Sequence, residues 1–205
     1  MADEVAKAPD EGAFGSLSGA QLARVEGALY HCRSRLGKAK RNPSDWSISL
    51  LYEVHRMIFG EVFPDRAGRE RLVMVALRDL PVPTPGQITY RLDNVVRSIR
   101  ELIERSENLT PEERIEVAFT EAARIHADCV AIQPFIDGNK RWAREVLSAV
   151  LVDCGFFPGT DISLADQSRY LEGISKAIAG HPEQLANLIL SGWLSQRQLY
   201  KQGLR

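Results

Sequence analysis

The sequence predicts an all-α fold, a helical bundle carrying one short β-hairpin flap. Apolar residues recur at three- and four-residue spacing through about seven segments, which is the period of helices with one buried face. Those segments are separated by capping residues, prolines and glycines rather than by strand-like runs. A single interval, residues 71–85, breaks the pattern with β-branched residues and closely spaced prolines. With 205 residues and 44% hydrophobic content, one compact domain with appendages and a sizeable core is expected.

The elements follow in order. Residues 1–16 are polar, with Pro9, Gly12 and Gly15, and read as a flexible tail. Residues 17–40 form an N-terminal helix in which Leu22, Val25, Leu29, Cys32 and Leu36 share a face, ending near Gly37. The core, residues 41–205, opens with a break at Arg41-Asn42-Pro43-Ser44, where Ser44 is the expected N-cap of the next helix. Ile48, Leu51, Val54, His55 and Ile58 line that helix, and Gly60 ends it. The run RLVMVAL, Arg71 to Leu77, followed by Pro81, Pro83, Pro85 and Gly86, reads as the extended flap. A third helix runs from near Gln87 to about Glu104.

Thr110-Pro111-Glu112-Glu113 combines an N-cap hydroxyl, a first-turn proline and a glutamate three residues on, a strong helix start. The expected buried stripe is Ile115, Phe119, Ala122, His126, Cys129 or Val130, and Gln133, and Pro134 breaks the helix. The next helix, from about Asn139 to Cys154, buries Trp142, Val146, Leu147, Val150 and Leu151 before Gly155. Ser163 and His181-Pro182 open two more. There is no internal repeat.

Net charge of -1 gives no electrostatic case for nucleic acid or an acidic membrane. No apolar run reaches membrane length, and no N-terminal stretch has a signal-peptide core. Cys32, Cys129 and Cys154 share no metal-ligand spacing and sit in apolar helical patterns, so they read as buried thiols in a reducing, cytoplasmic setting. The sequon Asn108-Leu109-Thr110 carries little weight without a secretion signal.

The richest segment is Gln133 to Arg144, QPFIDGNKRWAR. A turn at Asp137-Gly138-Asn139 joins two helices, and Gly138 permits a positive φ there. Arg141 and Arg144, three residues apart, project from one face of the second helix. Backbone N–H groups at a helix start backed by two guanidiniums make a polyanion site, and Asp137 could hold a divalent cation against bound phosphates. Solvated arginines at an ordinary polar helix start are the alternative.

Phe135, Asp137, Gly138, Asn139, Arg141 and Arg144 match the signature His-x-Phe-x-Asp/Glu-Gly-Asn-Gly-Arg-x-x-Arg, so the chain resembles the Fic family (Fic/Doc superfamily). The segment from His55 to Arg71 looks like the stretch preceding the family's flap. The resemblance implies transfer of AMP from ATP to a Ser, Thr or Tyr hydroxyl of a target protein. Asp137 would ligate Mg²⁺. Gly138 and Asn139 would form the anion hole, with Asn139 on the α-phosphate, and Arg141 and Arg144 would hold the outer phosphates. Phe135 would anchor the loop. The flap, residues 71–85, would dock the target as an added strand. A homodimer or an antitoxin-like partner is also implied.

Two positions depart from the signature. Gln133 replaces the catalytic His, and a side-chain amide cannot take a proton near neutrality. Losing a general base typically costs ~10²–10⁴-fold in rate. The chain is then a nucleotide-binding pseudoenzyme, a slow transferase using another base or solvent, or a form in which Gln133 traps a substrate complex. His126, seven residues before Gln133 and so ~10 Å down the helix, is too far to replace the base and reads as a core histidine. His31, His55 and His181 carry no motif support. Lys140 replaces the second Gly and resembles the Doc branch, which transfers phosphate, whereas Arg144 is a feature of AMP transferases. Lys140 either adds charge on phosphate or is solvated.

Self-inhibited relatives carry Ser/Thr-x-x-x-Glu-Gly/Asn on a helix, whose Glu pairs with the second motif Arg. Leu22 to Gly27 has the Glu-Gly with Leu22 at the hydroxyl position, making Glu26 either an inhibitory partner of Arg144 or a surface residue. Ser168 to Gly173 matches fully but falls among later core helices, which weighs against an inhibitory Glu172.

Overall fold

The computed structural model describes residues 17–38, 40–77, 82–158 and 167–202. Seven helices are present among them: α1 (Gly19–Gly37), α2 (Ile48–Phe59), α3 (Ile88–Glu107), α4 (Pro111–Ile132), α5 (Asn139–Asp153), α6 (Gln167–Ile178) and α7 (Glu183–Lys201). The expected tail, Ser163 and the flap tip at residues 78–81 lie outside the described residues.

Capping chemistry sets several boundaries. Ser18 caps α1 through a reciprocal box with Gln21. Thr110 and Glu113 form the same box at α4, with Pro111 at the first helical position. The expected cap at Ser44 is corrected. Asp45 accepts the Asn42 N–H and closes a 3-10 turn over Pro43–Asp45. Trp46 then runs extended into the core, so α2 starts one turn later, capped by Ser47.

Helix α4 lies at the centre, packed against α3, α5, α6 and α7, while α1 rests on α2 and α5. Phe119, Ala122, His126, Cys129 and Val130 are buried as expected. Ile115 is not: the first two turns of α4 project past the bundle, and it stays 39% exposed. On α1, Val25, Cys32 and Leu36 are buried, whereas Leu22 is exposed. All three cysteines are free and buried, and burial pushes the Cys32 thiol up to about 12 and Cys154 up to about 11.

The flap forms no strand ladder among the described residues. Residues 71–76 run without regular structure, and only Leu77 has bridge-type pairing. No described helix is long and apolar enough to cross a membrane.

Candidate active site

The α4–α5 connection is built on two left-handed residues. Helix α4 ends at Gln133, φ 47° and ψ 58°, the one non-glycine residue with positive φ among those described. Helix α5 begins after Gly138, φ 76°. No other residue fits at 138. A Cβ there would stand 2.4 Å from Phe59 Cε2 and 3.1 Å from His55 Nε2.

His55, unassigned by the sequence, braces this turn from beneath. It is fully buried, and its ring stacks on Phe135 with centroids 3.7 Å apart. Its Nδ1 accepts the Gly68 N–H at 2.9 Å, which places the ring proton on Nε2. Nε2 then donates to the Asp137 carbonyl at 3.0 Å. Burial pushes the His55 pKa down to about 4, with the hydrogen bond to Asp137 working the other way. Phe135 is buried against Trp142 and Tyr52, and Trp142 Nε1 donates to Leu51 O at 2.8 Å, tying α5 to α2. Phe135 therefore anchors the loop.

Asn139 is bound into the turn by its side chain. It is only 5% exposed. Its Oδ1 accepts the Phe135 N–H at 3.0 Å, and its Nδ2 donates to Phe135 O at 2.9 Å and Gln133 Oε1 at 3.2 Å. The side chain closes the turn. Gln133 is similarly occupied. Its Nε2 donates to Val130 O at 2.6 Å, a carbonyl at the end of α4 with no later helical partner. Both ends of the Gln133 amide are thus bound, one to the end of α4 and one within the loop.

The opposite rim differs. The first helical hydrogen bond of α5 is Trp142 N to Gly138 O, so the N–H groups of Asn139, Lys140 and Arg141 have no partner inside the helix. Lys140, Arg141 and Arg144 surround this end, and none is ion-paired among the described residues. Arg144 Nε donates to Lys140 O at 3.3 Å, and burial lowers its pKa without removing its charge. Asp137 stands at the same turn, its Oδ1 accepting the Gly138 N–H. No group of three or more His, Cys, Asp or Glu side chains gathers into a metal cage among the described residues. A cation held at Asp137 would have to complete its shell with phosphate and water oxygens, which fits Mg²⁺.

Glu26 is exposed and makes no ion pair with Arg144. On the same helix, Arg33 reaches α5 instead, gripping the buried Glu145 with contacts of 2.7–2.9 Å. Leu36 and Ala149, one turn further along both helices, are bridged by the Arg41 guanidinium, so α1 and α5 run in the same sense. Glu26, two turns before Arg33, therefore lies level with the first turn of α5. Glu172 pairs with Lys176 at 2.7 Å and lines a separate groove with Ser168 and Arg169. His126 is a core residue as expected: it hydrogen-bonds Ala143 O and Tyr170 OH, and burial pushes its pKa down to about 4.

A model of the Fic/DOC family matches residues 45–151, just over half of the chain. The chain belongs to the Fic/DOC family. It is 31% identical over 134 residues to a protein adenylyltransferase Fic of Nematostella vectensis. That match takes in 65% of this chain and 29% of the relative, so the chain spans under a third of the relative's length. Among solved structures, a fragment of Fic-1 from C. elegans aligns with TM-score 0.64 at 23% identity, covering 90% of this chain and 51% of that one. The BepC effector of Bartonella tribocorum, solved with bound AMPPNP, aligns with TM-score 0.66 at 17% identity, covering 94% of each chain. These structural likenesses establish the Fic fold and nothing finer.

Proposed function

We propose that this Fic-domain chain binds Mg-ATP at the start of α5 and belongs to the AMP-transferring lineage, with transfer slowed by Gln133. The observation that carries the reading is the rim of unpaired donors and cations. Three backbone N–H groups have no helical partner there, and Lys140, Arg141 and Arg144 beside them make no ion pair among the described residues, so the single Asp137 carboxylate at the turn leaves positive charge in excess. A triphosphate supplies the balancing charge. Asp137 would hold Mg²⁺, which when bound neutralises phosphate charge and orients the phosphates.

The step is a displacement at the α-phosphorus. A target hydroxyl oxygen bonds to it, the α–β anhydride bond breaks, and pyrophosphate leaves. The hydroxyl proton has no acceptor in Gln133 and must go to solvent. Arg141 and Arg144 stabilise charge gathering on the leaving pyrophosphate. The target docks along residues 71–85, and a homodimer or antitoxin-like partner and a cytoplasmic setting belong to the same reading.

A second reading has its own support: the Gln133 amide is already bound to Val130 and Asn139. On that reading the site holds nucleotide without transfer. Phosphotransfer of the Doc kind rests on Lys140 alone. Incubation of the full chain and cell extract with α- or γ-labelled ATP and Mg²⁺ distinguishes them. Slow protein labelling from the α-label only is the expected result. Labelling from the γ-label only would overturn AMP transfer, and Mg-ATP binding without either label favours the binding module.

A further inference from the structure

Arg71 opens the flap in sequence, yet only 3% of it is exposed. It makes no salt bridge among the described residues, although the neighbouring Glu70 carboxylate favours its charge. Its guanidinium instead donates to four carbonyls. Nε reaches Gln133 O at 2.6 Å, Nη1 reaches Val73 O at 2.7 Å, and Nη2 reaches Pro83 O at 2.6 Å and Ile132 O at 3.4 Å. The Arg71 backbone N–H adds a bond to Pro134 O at 2.9 Å. Two of these carbonyls end α4, where a cation also answers the negative end of the helix dipole. The other two lie on opposite arms of the flap.

The preceding residue extends the anchor. Thr89 on α3 donates to Glu70 at 3.1 Å. The Tyr52 phenol of α2, beside Phe135, also interacts with Glu70, and burial raises its pKa first, with that hydrogen bond adding to the rise. The flap root is therefore fastened to α2, α3 and the end of α4 at once. Leu72, the next residue, is 89% exposed, so the chain passes from a buried clamp to a free edge within one step.

We infer that Arg71 is a positioning residue that joins the flap and the left-handed Gln133 turn into one mechanical unit, setting the register between a segment lying on the flap and the side chain at 133. Among the described residues, the two arms are spanned by one guanidinium through Val73 O and Pro83 O. Lysine cannot replace it: three donors on one nitrogen cannot bridge carbonyls on both sides. The phosphate rim is supported separately, by His55 under Asp137 and by the Asn139 side chain. Its affinity for nucleotide should therefore be insensitive to Arg71. The mechanical part stands on these contacts, and its consequence for a target rests on the transferase reading.

Nitrogen-15 relaxation on the full chain tests the clamp. In Arg71→Lys and Arg71→Gln, backbone order parameters at residues 72–77 and at 132, 133 and 135 should fall together toward about 0.6, while α3 and α7 keep rigid values of about 0.85. Loosening confined to the flap, with 132, 133 and 135 unchanged, would overturn the coupling. If neither variant folds, the wild type decides alone. The Arg71 Nε proton should exchange at least about 100-fold more slowly than that of the exposed Arg97, because opening must precede exchange. Equal rates would overturn the clamp.

A Gln133→His background supplies the second readout. There Arg71→Lys should raise KM for a labelled target about tenfold and leave KM for ATP within about twofold. Equal increases in both would reduce Arg71 to a general structural residue. Failure of the wild type to bind Mg-ATP would count against the proposed function, while the relaxation result would still decide the clamp.

Discussion

The two ends of the Fic motif are finished differently. At the Gln133 end, the side-chain amide and the Asn139 amide are bound to each other and to loop backbone atoms. At the α5 end, three N–H groups have no helical partner and three cationic side chains make no ion pair among the described residues. One end is closed on itself and the other is open. Binding and chemistry are thus separable properties of this site, carried by different atoms and alterable one at a time.

The largest effect should come from opening the closed end. Gln133→His returns a titratable base to the left-handed position and should raise AMP transfer by about 10²–10⁴-fold, the usual contribution of a general base. Mg-ATP affinity, read by calorimetry, should stay within about threefold, since the rim is untouched. A variant that gains no activity toward any labelled target while binding nucleotide normally would mean that the closed end lacks more than a base. A large change in affinity would break the separation itself.

Much of this contrast was visible in the sequence, and the rest was hidden for identifiable reasons. Gly138 and the Thr110-Pro111-Glu113 start express local rules, so they were readable from the residues, while the anchoring role of Phe135 came with the family resemblance. The Ser44 cap failed because Pro43–Asp45 closes a 3-10 turn and Trp46 leaves it extended, so the N–H groups Ser44 would cap do not start a helix. The flap shows no ladder among the described residues, where Arg71 donates to Val73 O and Pro83 O. His55 and Arg71 act through long-range contacts, at sequence separations of 82 and 62, with backbone oxygens. Backbone acceptors leave no mark on the identity of the residue that supplies them. The one available signal was excess: a histidine on an apolar helix face and an arginine opening an apolar run each needed a partner.

The next effect concerns the brace beneath the open end. His55 titrates at about 4 in the fold and near 6.5 when unfolded. Between those values the unfolded chain binds more protons, so stability rises with pH. The contribution is complete above pH 6.5 and is lost as pH falls through about 4. That gap corresponds to roughly 3 kcal/mol. His126, also pushed down to about 4, adds a similar term to the wild type. His55→Gln keeps a donor for Asp137 O but cannot titrate. In urea melts at pH 7 and pH 4.5, the variant should lose roughly 2–3 kcal/mol less than the wild type. Parallel losses would show that His55 is not the buried neutral strut that its contacts describe.

The smallest effect is the sharpest test of whether the open end is open. Glu26 lies level with the first turn of α5, yet its side chain is exposed and Arg144 is unpaired among the described residues. An exposed carboxylate without a fixed partner contributes little, because water screens it. Glu26→Gly should therefore change Mg-ATP affinity by less than about twofold. A gain of tenfold or more would require Glu26 to occupy Arg144 in solution and compete with phosphate. The α1 helix is held to α5 by Arg33 and Glu145, two turns from Glu26. Repeating the titration with Arg33→Ala separates the cases. If the pair fixes the level of Glu26, releasing it should abolish any gain produced by Glu26→Gly; if the rim is open, neither variant should move the affinity.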